Sequence, residues 1–346
     1  MPLTEDQIRD ALKQVKYPGF SRDVVSFGLL RGIDIEGGDV TVQMTLSTND
    51  TAIPRQIREQ SEALLRSLPG VNSAAVRIDI QAPVQTAAVG GTKIEGIRHV
   101  IAIASGKGGV GKSTVAANLA VSLARGGARV GLCDCDLYGP SIAMMFGSRE
   151  RPLADEQERI LPIERFGVKL MSMGFLLDDD SPAVLRGPMV TRYTQQFLRQ
   201  VAWGELDYLL LDLPPGTGDI QLTIVQTVAL SGAVLVTTPQ EVALIDVRKA
   251  AAMFAKTNVP VLGIVENMSY FVSPGDGVRH DVFGAGGGAR EAARLRTTLL
   301  GELPLDIPTR EAGDIGCPIS EHQPESEQAR IFQKIASSLR TAVNAK

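Results

Sequence analysis

The stretch Gly106-Lys107-Gly108-Gly109-Val110-Gly111-Lys112-Ser113-Thr114 follows directly on an apolar run, His99–Ala104. Gly106, Gly111, Lys112 and Ser113 satisfy G-x-x-x-x-G-K-[ST], the pattern of a phosphate-holding loop between a strand and a helix. Glycines let the backbone N–H groups of residues 106–114 turn inward around an anion. Lys112 supplies a point charge for the β and γ phosphates, Ser113 a hydroxyl for Mg²⁺, and the helix that follows places its positive end under the same anion. The same letters also fit a dinucleotide fingerprint, G-x-G-x-x-G, with Asp134 as the ribose-binding acid. That reading has no use for Lys112-Ser113. An ATP·Mg²⁺ loop is the expectation.

Beyond the loop, short apolar runs recur at Arg129–Cys133, Tyr208–Leu211, Ala233–Val236 and Val259–Val265, most of them separated by helix-length segments. Continuous apolar strands alternating with helices imply a doubly wound, mostly parallel α/β sheet covered on both faces. Ligands then lie at the carboxyl ends of the strands. Three aspartates stand there. Asp134 and Asp136 follow the second run in Cys133-Asp134-Cys135-Asp136, and Asp212 closes the third and opens Asp212-Leu-Pro-Pro-Gly-Thr-Gly-Asp219. A carboxylate in Asp212's place can hold the Mg²⁺ shell. Pro214-Pro215-Gly216 stiffens a turn whose Gly216 N–H is placed to sense the γ-phosphate, and Asp219 is either functional or a helix cap.

Upstream, residues 1–81 read as a separate small α+β domain of order α-β-β-α-β. Thr4-x-x-Gln7 is a capping-box pattern before a helix carrying Ile8, Leu12 and Val15 and stopped by Pro18-Gly19. Val40, Val42, Met44 and Leu46 alternate with polar residues after the turn Glu36-Gly37-Gly38-Asp39. A second helix is expected at about 54–68, and a last strand with Val76, Ile78 and Ile80 on one face. Residues 82–97, small and poor in charge, read as a flexible linker, leaving 98–346 as the phosphate-loop domain.

Composition narrows the function classes. The 346 residues carry 35 basic and 39 acidic side chains, a net charge of −4. The parts before and after Gln81 are each at −2, so neither is a basic arm for nucleic acid. No apolar run approaches the ~20 residues of a membrane span, and the N-terminus lacks the features of a secretory signal. Three cysteines, Cys133, Cys135 and Cys317, cannot build a disulfide framework and suit a reducing cytoplasm.

Lys107 ahead of the usual lysine, giving KGGVGKST, resembles the deviant phosphate loop of the MinD/ParA/nitrogenase-iron-protein class of P-loop ATPases. DCDLYGPS, DLPPGTGD, ENMSYF and HDVFGAGGG together resemble the Mrp/ApbC group of iron–sulfur cluster carriers within that class. The resemblance covers 98 to about 340, and residues 1–81 are similar to the small domain often fused ahead of such proteins. It implies a slow ATPase that works as a homodimer and delivers [4Fe–4S] clusters to apo client proteins or exchanges them with scaffold proteins. It further implies Lys107 reaching the partner subunit's phosphates, Lys112 on the phosphates, Ser113 on Mg²⁺ and Thr114 near the α-phosphate. Asp134 falls in the metal's water shell, Asp136 on the attacking water, Asp212 on Mg²⁺ and Asn267 on adenine.

One departure stands out. Where the family carries V-C-P-x-C, whose cysteines hold a cluster shared between subunits, this chain reads Val272-Ser273-Pro274-Gly275-Asp276. Ser273 and Asp276 offer hard oxygen donors in place of the soft thiolates that suit iron–sulfur iron. A cluster carrier is therefore expected first. An ATP-switched adaptor that has lost its own cluster comes second, and a positioning ATPase of the MinD or ParA kind third. The last of these wants a membrane-seeking C-terminal helix. The final helix, at about 325–343, sets Ile331, Phe332, Ile335 and Leu339 in one stripe, a pattern that docks on a parent domain.

Overall fold

The computed structural model describes residues 3–16, 18, 23–26, 28–47, 52–81, 91–176 and 187–345. The chain divides into two units, Met1–Thr86 and Ala87–Lys346.

In the first unit α1 (Glu5–Leu12), β1 (Leu30–Glu36), β2 (Asp39–Ser47), α2 (Ala52–Arg66) and β3 (Ser73–Gln81) follow in the expected order. Thr4 and Gln7 form the reciprocal capping box. α1 ends at Leu12, short of Pro18, and Val15 is buried from the turn that follows. β2 is central, antiparallel to β1 and parallel to β3. Its alternating Val40, Val42, Met44 and Leu46 all point into the core, where Ile8, Leu12, Ile57 and Leu65 of the two helices meet them. Ile78 is half-buried against the same core, and the side chain of Ile80 lies outside the described set.

The second unit opens with β4 (Ile97–Ala104), α3 (Lys112–Arg125), β5 (Val130–Asp134) and the short α4 (Ile142–Met145). It continues through β6 (Ile163–Arg165), β7 (Val168–Met171), α5 (Gly187–Gln200), β8 (Leu206–Asp212), α6 (Asp219–Thr227), β9 (Gly232–Thr237), α7 (Glu241–Lys256) and β10 (Val261–Glu266). A hairpin of β11 (Phe271–Val272) and β12 (Arg279–His280) then precedes α8 (Gly287–Arg294), β13 (Leu299–Glu302), α9 (Ile307–Asp314), α10 (Ile319–His322) and α11 (Glu327–Asn344).

Eight strands form one sheet in the order β13-β10-β9-β4-β8-β5-β7-β6, parallel except for β6. Side-chain parity explains the unbroken apolar runs. Ile101 and Ile103 of β4 face the core under α3 and α11, while Val100, Ala102 and Ala104 face the opposite core under α5, α6 and α7. Both faces are dry, so both parities must be apolar. α11 lays Phe332, Ile335 and Leu339 into the first of these cores, which settles its stripe as a docking face. Among the described residues no helix is long and apolar enough to cross a membrane.

The expected linker needs correction at its C-terminal end. Residues 82–90 lie outside the described set, but 91–97 belong to the second unit. The Thr92 amide donates to the Thr227 carbonyl (3.2 Å), the Ala229 amide to the Thr92 carbonyl (3.1 Å), and Ile94 packs on the core. Glycines and small residues there read as slack in the sequence, whereas backbone pairing with the end of α6 fixes them.

Candidate functional site

β4 drives straight into the loop 106–111, and α3 starts at Lys112 with Gly111 as its N-cap at φ +78°. Gly106 is required by space, because a Cβ there would run into the backbone of Asp246 on α7. Gly111 is required by conformation, since that φ lies in the left-handed region. The result is a concave cradle lined by Lys107, Gly108, Gly109, Val110, Gly111, Lys112, Ser113 and Thr114, and the fold brings Asp136 and Pro215 to its rim. Lys107 is half-buried; its carbonyl accepts the Ser105 hydroxyl (2.9 Å), and among the described residues its ammonium has no ion-pair partner.

Beneath the cradle lies a buried charge cluster. The Lys112 ammonium is 7% exposed and ion-paired with Oδ1 of the fully buried Asp212. It also lies 3.3 Å from the Ser113 hydroxyl. Oδ2 of Asp212 is buried with no hydrogen-bond partner among the described residues. An orphaned carboxylate oxygen beside a serine hydroxyl fits a hard divalent cation, so Asp212 and Ser113 are the residues that would hold Mg²⁺.

Asp134 fits a direct metal bond poorly. Its Oδ2 takes the amides of Ser141 (2.9 Å) and Ile142 (3.1 Å) and the Ser172 hydroxyl (3.0 Å), and its Oδ1 takes the Asp136 amide (3.1 Å). These bonds hold the turn that presents Asp136. They also leave Asp134 unavailable as a ribose-binding acid, which removes the dinucleotide reading. Burial, then the charge of Asp212, raises Asp134 to about 7. Burial also raises Asp212, against the pull of Lys112.

A carboxyl whose folded value lies above its ordinary 3.8 keeps a proton in the folded chain that the unfolded chain has lost. Its contribution to stability therefore falls as pH rises from about 4 to about 7. Asp212→Asn removes the charge that helps to raise Asp134. The difference in thermal midpoint between this variant and wild type, followed from pH 4 to pH 8 without nucleotide, should widen in the variant's favour as pH rises. A constant difference would show that neither the raised titration of Asp212 nor its charge on Asp134 changes stability in this range.

Two sequence expectations about the loop after β8 change. The Gly216 amide donates to the Ser105 carbonyl (3.1 Å), so it is tied to the root of the phosphate loop. Asp219 is the first residue of α6, and Gly218 is its N-cap.

Asn267 joins the site from 157 residues away, its Nδ2 donating to the Val110 carbonyl (2.9 Å). Met268, in the left-handed region at φ +52°, turns the chain there. Asn267 and Met268 line a second cavity of about 240 Å³, closed by Pro304, Leu305 and Asp306, which shares Gly111 and Thr114 with the phosphate cradle. One extended ligand can thus place phosphates in the cradle and a flat apolar group in the cavity.

Ser273 and Asp276 stand elsewhere, in the turn of the β11–β12 hairpin. The Ser273 amide donates to the Val278 carbonyl (3.0 Å) and the Gly277 amide to the Ser273 carbonyl (2.9 Å). Asp276 Oδ1 accepts the Val278 amide (3.1 Å), and this bond, helped by the Ser273 hydroxyl, holds its carboxyl below the usual range. The cysteines do not replace them. Cys133 and Cys135 are buried with sulfurs 3.9 Å apart, and the Cys135 thiol is pushed well up by its hydrogen bond to Cys133 and by burial. Burial also raises half-buried Cys317. Ser172, Ser105 and Asp246 escaped the sequence reading: Ser172 follows β7, a run too short to announce itself, and no motif marks the other two.

Residues 96–340 match a family model described as ParA, NUBPL iron-transfer P-loop NTPase, and residues 5–78 match one described as iron–sulfur cluster assembly protein. The chain is 44% identical over 97% of its length to an iron–sulfur cluster carrier protein of Synechocystis, covering 97% of that protein. A protein of the same description from Deinococcus radiodurans is 47% identical over 96% of this chain and 94% of the relative. Among solved structures, a nucleotide-binding protein from Archaeoglobus fulgidus in complex with ADP superimposes with a TM-score of 0.60 at 41% identity, over 69% of this chain and 93% of that one. The cell division ATPase MinD of Pyrococcus furiosus shares the fold, with a TM-score of 0.56 at 24% identity over 70% of this chain and 99% of that one.

Proposed function

Because this chain belongs to the NUBPL-type ParA family of P-loop NTPases, among the iron–sulfur cluster carriers, we propose that it uses ATP binding and hydrolysis to control the hand-over of [4Fe–4S] clusters to apo proteins in the cytoplasm. The observation that carries this reading is the paired cavity. A phosphate cradle and an apolar slot share Gly111 and Thr114, with the Mg²⁺-ready oxygen of Asp212 below.

In this reading Lys112 and the loop amides hold the β and γ phosphates, Thr114 lies beside the α-phosphate, and Asn267 and Met268 border the adenine. Ser113 and Asp212 would hold Mg²⁺, which would supply neutralisation of phosphate charge. Binding of the triphosphate draws Lys112 from Asp212, which frees the second oxygen of that carboxylate. Asp136, half-buried on the rim and fixed by the Gly139 amide (3.2 Å), takes the attacking water. Lys107, on the same rim and without an ion pair among the described residues, acts on the nucleotide of a second copy of the chain. That assignment makes the working form a homodimer.

The test is ATP turnover and anaerobic transfer of iron from a preloaded cluster donor to an apo protein. Lys107→Ala should bind ADP as wild type does, yet lose at least about 90% of turnover. Mixtures of Lys107→Ala with Asp136→Ala should recover part of it, because one site of a mixed dimer regains both groups. No recovery despite demonstrated mixing would mean that Lys107 acts in its own site or that the two sites turn over only when both are intact. Absence of both turnover and nucleotide-dependent transfer in wild type would overturn the whole reading.

Ser273 and Asp276 favour a second reading, in which the chain is an ATP-switched adaptor that recruits carriers or clients and holds no cluster itself. Iron and sulfide analysis of anaerobically purified protein separates the two.

A further inference from the structure

Gln221, on the first turn of α6, is 1% exposed and its side chain folds back so that Nε2 donates to the Pro214 carbonyl. This closes a ring around the loop 214–220 and fixes the turn that leaves Asp212. Its other polar atom is unused: Oε1 is buried with no partner among the described residues. Gln221 lines a cavity of about 440 Å³ together with Asp136, Pro214, Pro215 and Gly218. Asp136 and Pro215 line the phosphate cradle as well, so the two spaces meet at those residues. A buried amide oxygen left without a donor is costly, and what sets this one apart is its place on a cavity that shares Asp136 and Pro215 with the phosphate cradle.

We propose that Gln221 orients the hydrolytic water, its Oε1 accepting one hydrogen while Asp136 accepts the other. This rests on the ATPase reading above. A water that donates both hydrogens has a lone pair left to present to the terminal phosphate, which is the arrangement in-line attack requires. The water oxygen forms the bond to the γ-phosphorus as the bond from that phosphorus to the β–γ bridging oxygen breaks, its electron pair leaving on ADP. One water proton stays on the released inorganic phosphate and the other leaves through Asp136 to solvent. Nε2 has a separate duty: by holding the Pro214 carbonyl it keeps Oε1 aimed.

The experiment compares wild type, Gln221→Met and Gln221→Glu, measuring kcat, KM for ATP and affinity for ADP. Met fills the space with neither the acceptor nor the donor to the Pro214 carbonyl; Glu, kept protonated by burial against that carbonyl, restores both. Gln221→Met should lose about tenfold or more in kcat, with KM and ADP affinity within about twofold of wild type. Gln221→Glu should turn over several-fold faster than Gln221→Met. A Gln221→Met protein as fast as wild type overturns the assignment alone. So does a fall in ADP affinity and thermal midpoint that matches the fall in kcat, which would make Gln221 a structural tie only. A wild type that binds ATP and never hydrolyses it overturns the ATPase reading and this assignment with it.

Discussion

Lys112→Ala should weaken ATP binding about 100-fold or more, a loss of ~2.7 kcal/mol or above, and weaken ADP binding less. Its ammonium is the cation buried at the base of the cradle, and it already faces a partner, Asp212, that the phosphates must outbid. The same change should lower stability. Removing one member of a buried ion pair leaves the other uncompensated, at a cost of ~3–5 kcal/mol. Here Asp134 and Asp212 are both fully buried, so without Lys112 two carboxyls remain with no cation between them. They are raised already, and they take up protons more readily as pH falls, so the stability loss should be largest near pH 8 and smaller near pH 5. Calorimetry with ATP and ADP reads the first effect; urea unfolding at the two pH values reads the second. Equal ATP binding by variant and wild type would remove Lys112 from the phosphates.

The double change Ser273→Cys with Asp276→Cys should convert a chain that retains little iron after anaerobic reconstitution into one that holds about four irons per dimer, the content of a single four-iron cluster. The hairpin should survive it. The two bonds that frame the turn, Ser273 amide to Val278 carbonyl and Gly277 amide to Ser273 carbonyl, are both backbone to backbone. What is lost is the exposed Asp276 carboxylate's bond to the Val278 amide and its contact with the Ser273 hydroxyl. Iron and sulfide content with thiolate-to-iron absorbance after gel filtration gives the answer. A four-iron cluster that survives filtration in the unaltered chain, and again with Cys133, Cys135 and Cys317 replaced by Ser, would show that oxygen donors suffice. The preference of iron–sulfur iron for thiolate says they do not.

Where the chemistry is carried by spacing along the chain, the sequence was enough to find it. Gly106 to Ser113 announces a phosphate loop, and apolar runs of both parities announce a parallel sheet. Where residues meet only through the fold, the sequence was silent. Ser172 holds Asp134 across 38 residues, and Asp246 explains Gly106 only because α7 happens to cross there. β6, β7 and β13 leave a weak apolar signal because each is only three or four residues long, and β6 and β13 are also half-covered edge strands. Asn267 was reached through a family likeness. The hydrogen bond that places it beside Val110 spans 157 residues and leaves no periodicity to read. The glycine-rich segment before β4 misled for a related reason, since main-chain pairing with the end of α6 needs no particular side chain.

The order of the large sheet has a consequence for synthesis. β4 is flanked by β8 and β9, and about 100 residues separate its end at Ala104 from the start of β8 at Leu206. At roughly 5–20 residues per second, a ribosome needs about 5–20 s to deliver the first neighbour that β4 can pair with. Through that interval a strand whose Ile101, Ala102, Ile103 and Ala104 are fully buried in the finished protein has both edges open. α3 is the first helix able to shield one of its faces, and α5, which packs in the core on the other, is complete only at Gln200. A nascent chain halted anywhere between Gly126 and Asp207 should thus be a strong chaperone client, and release of chaperone should coincide with the emergence of β8.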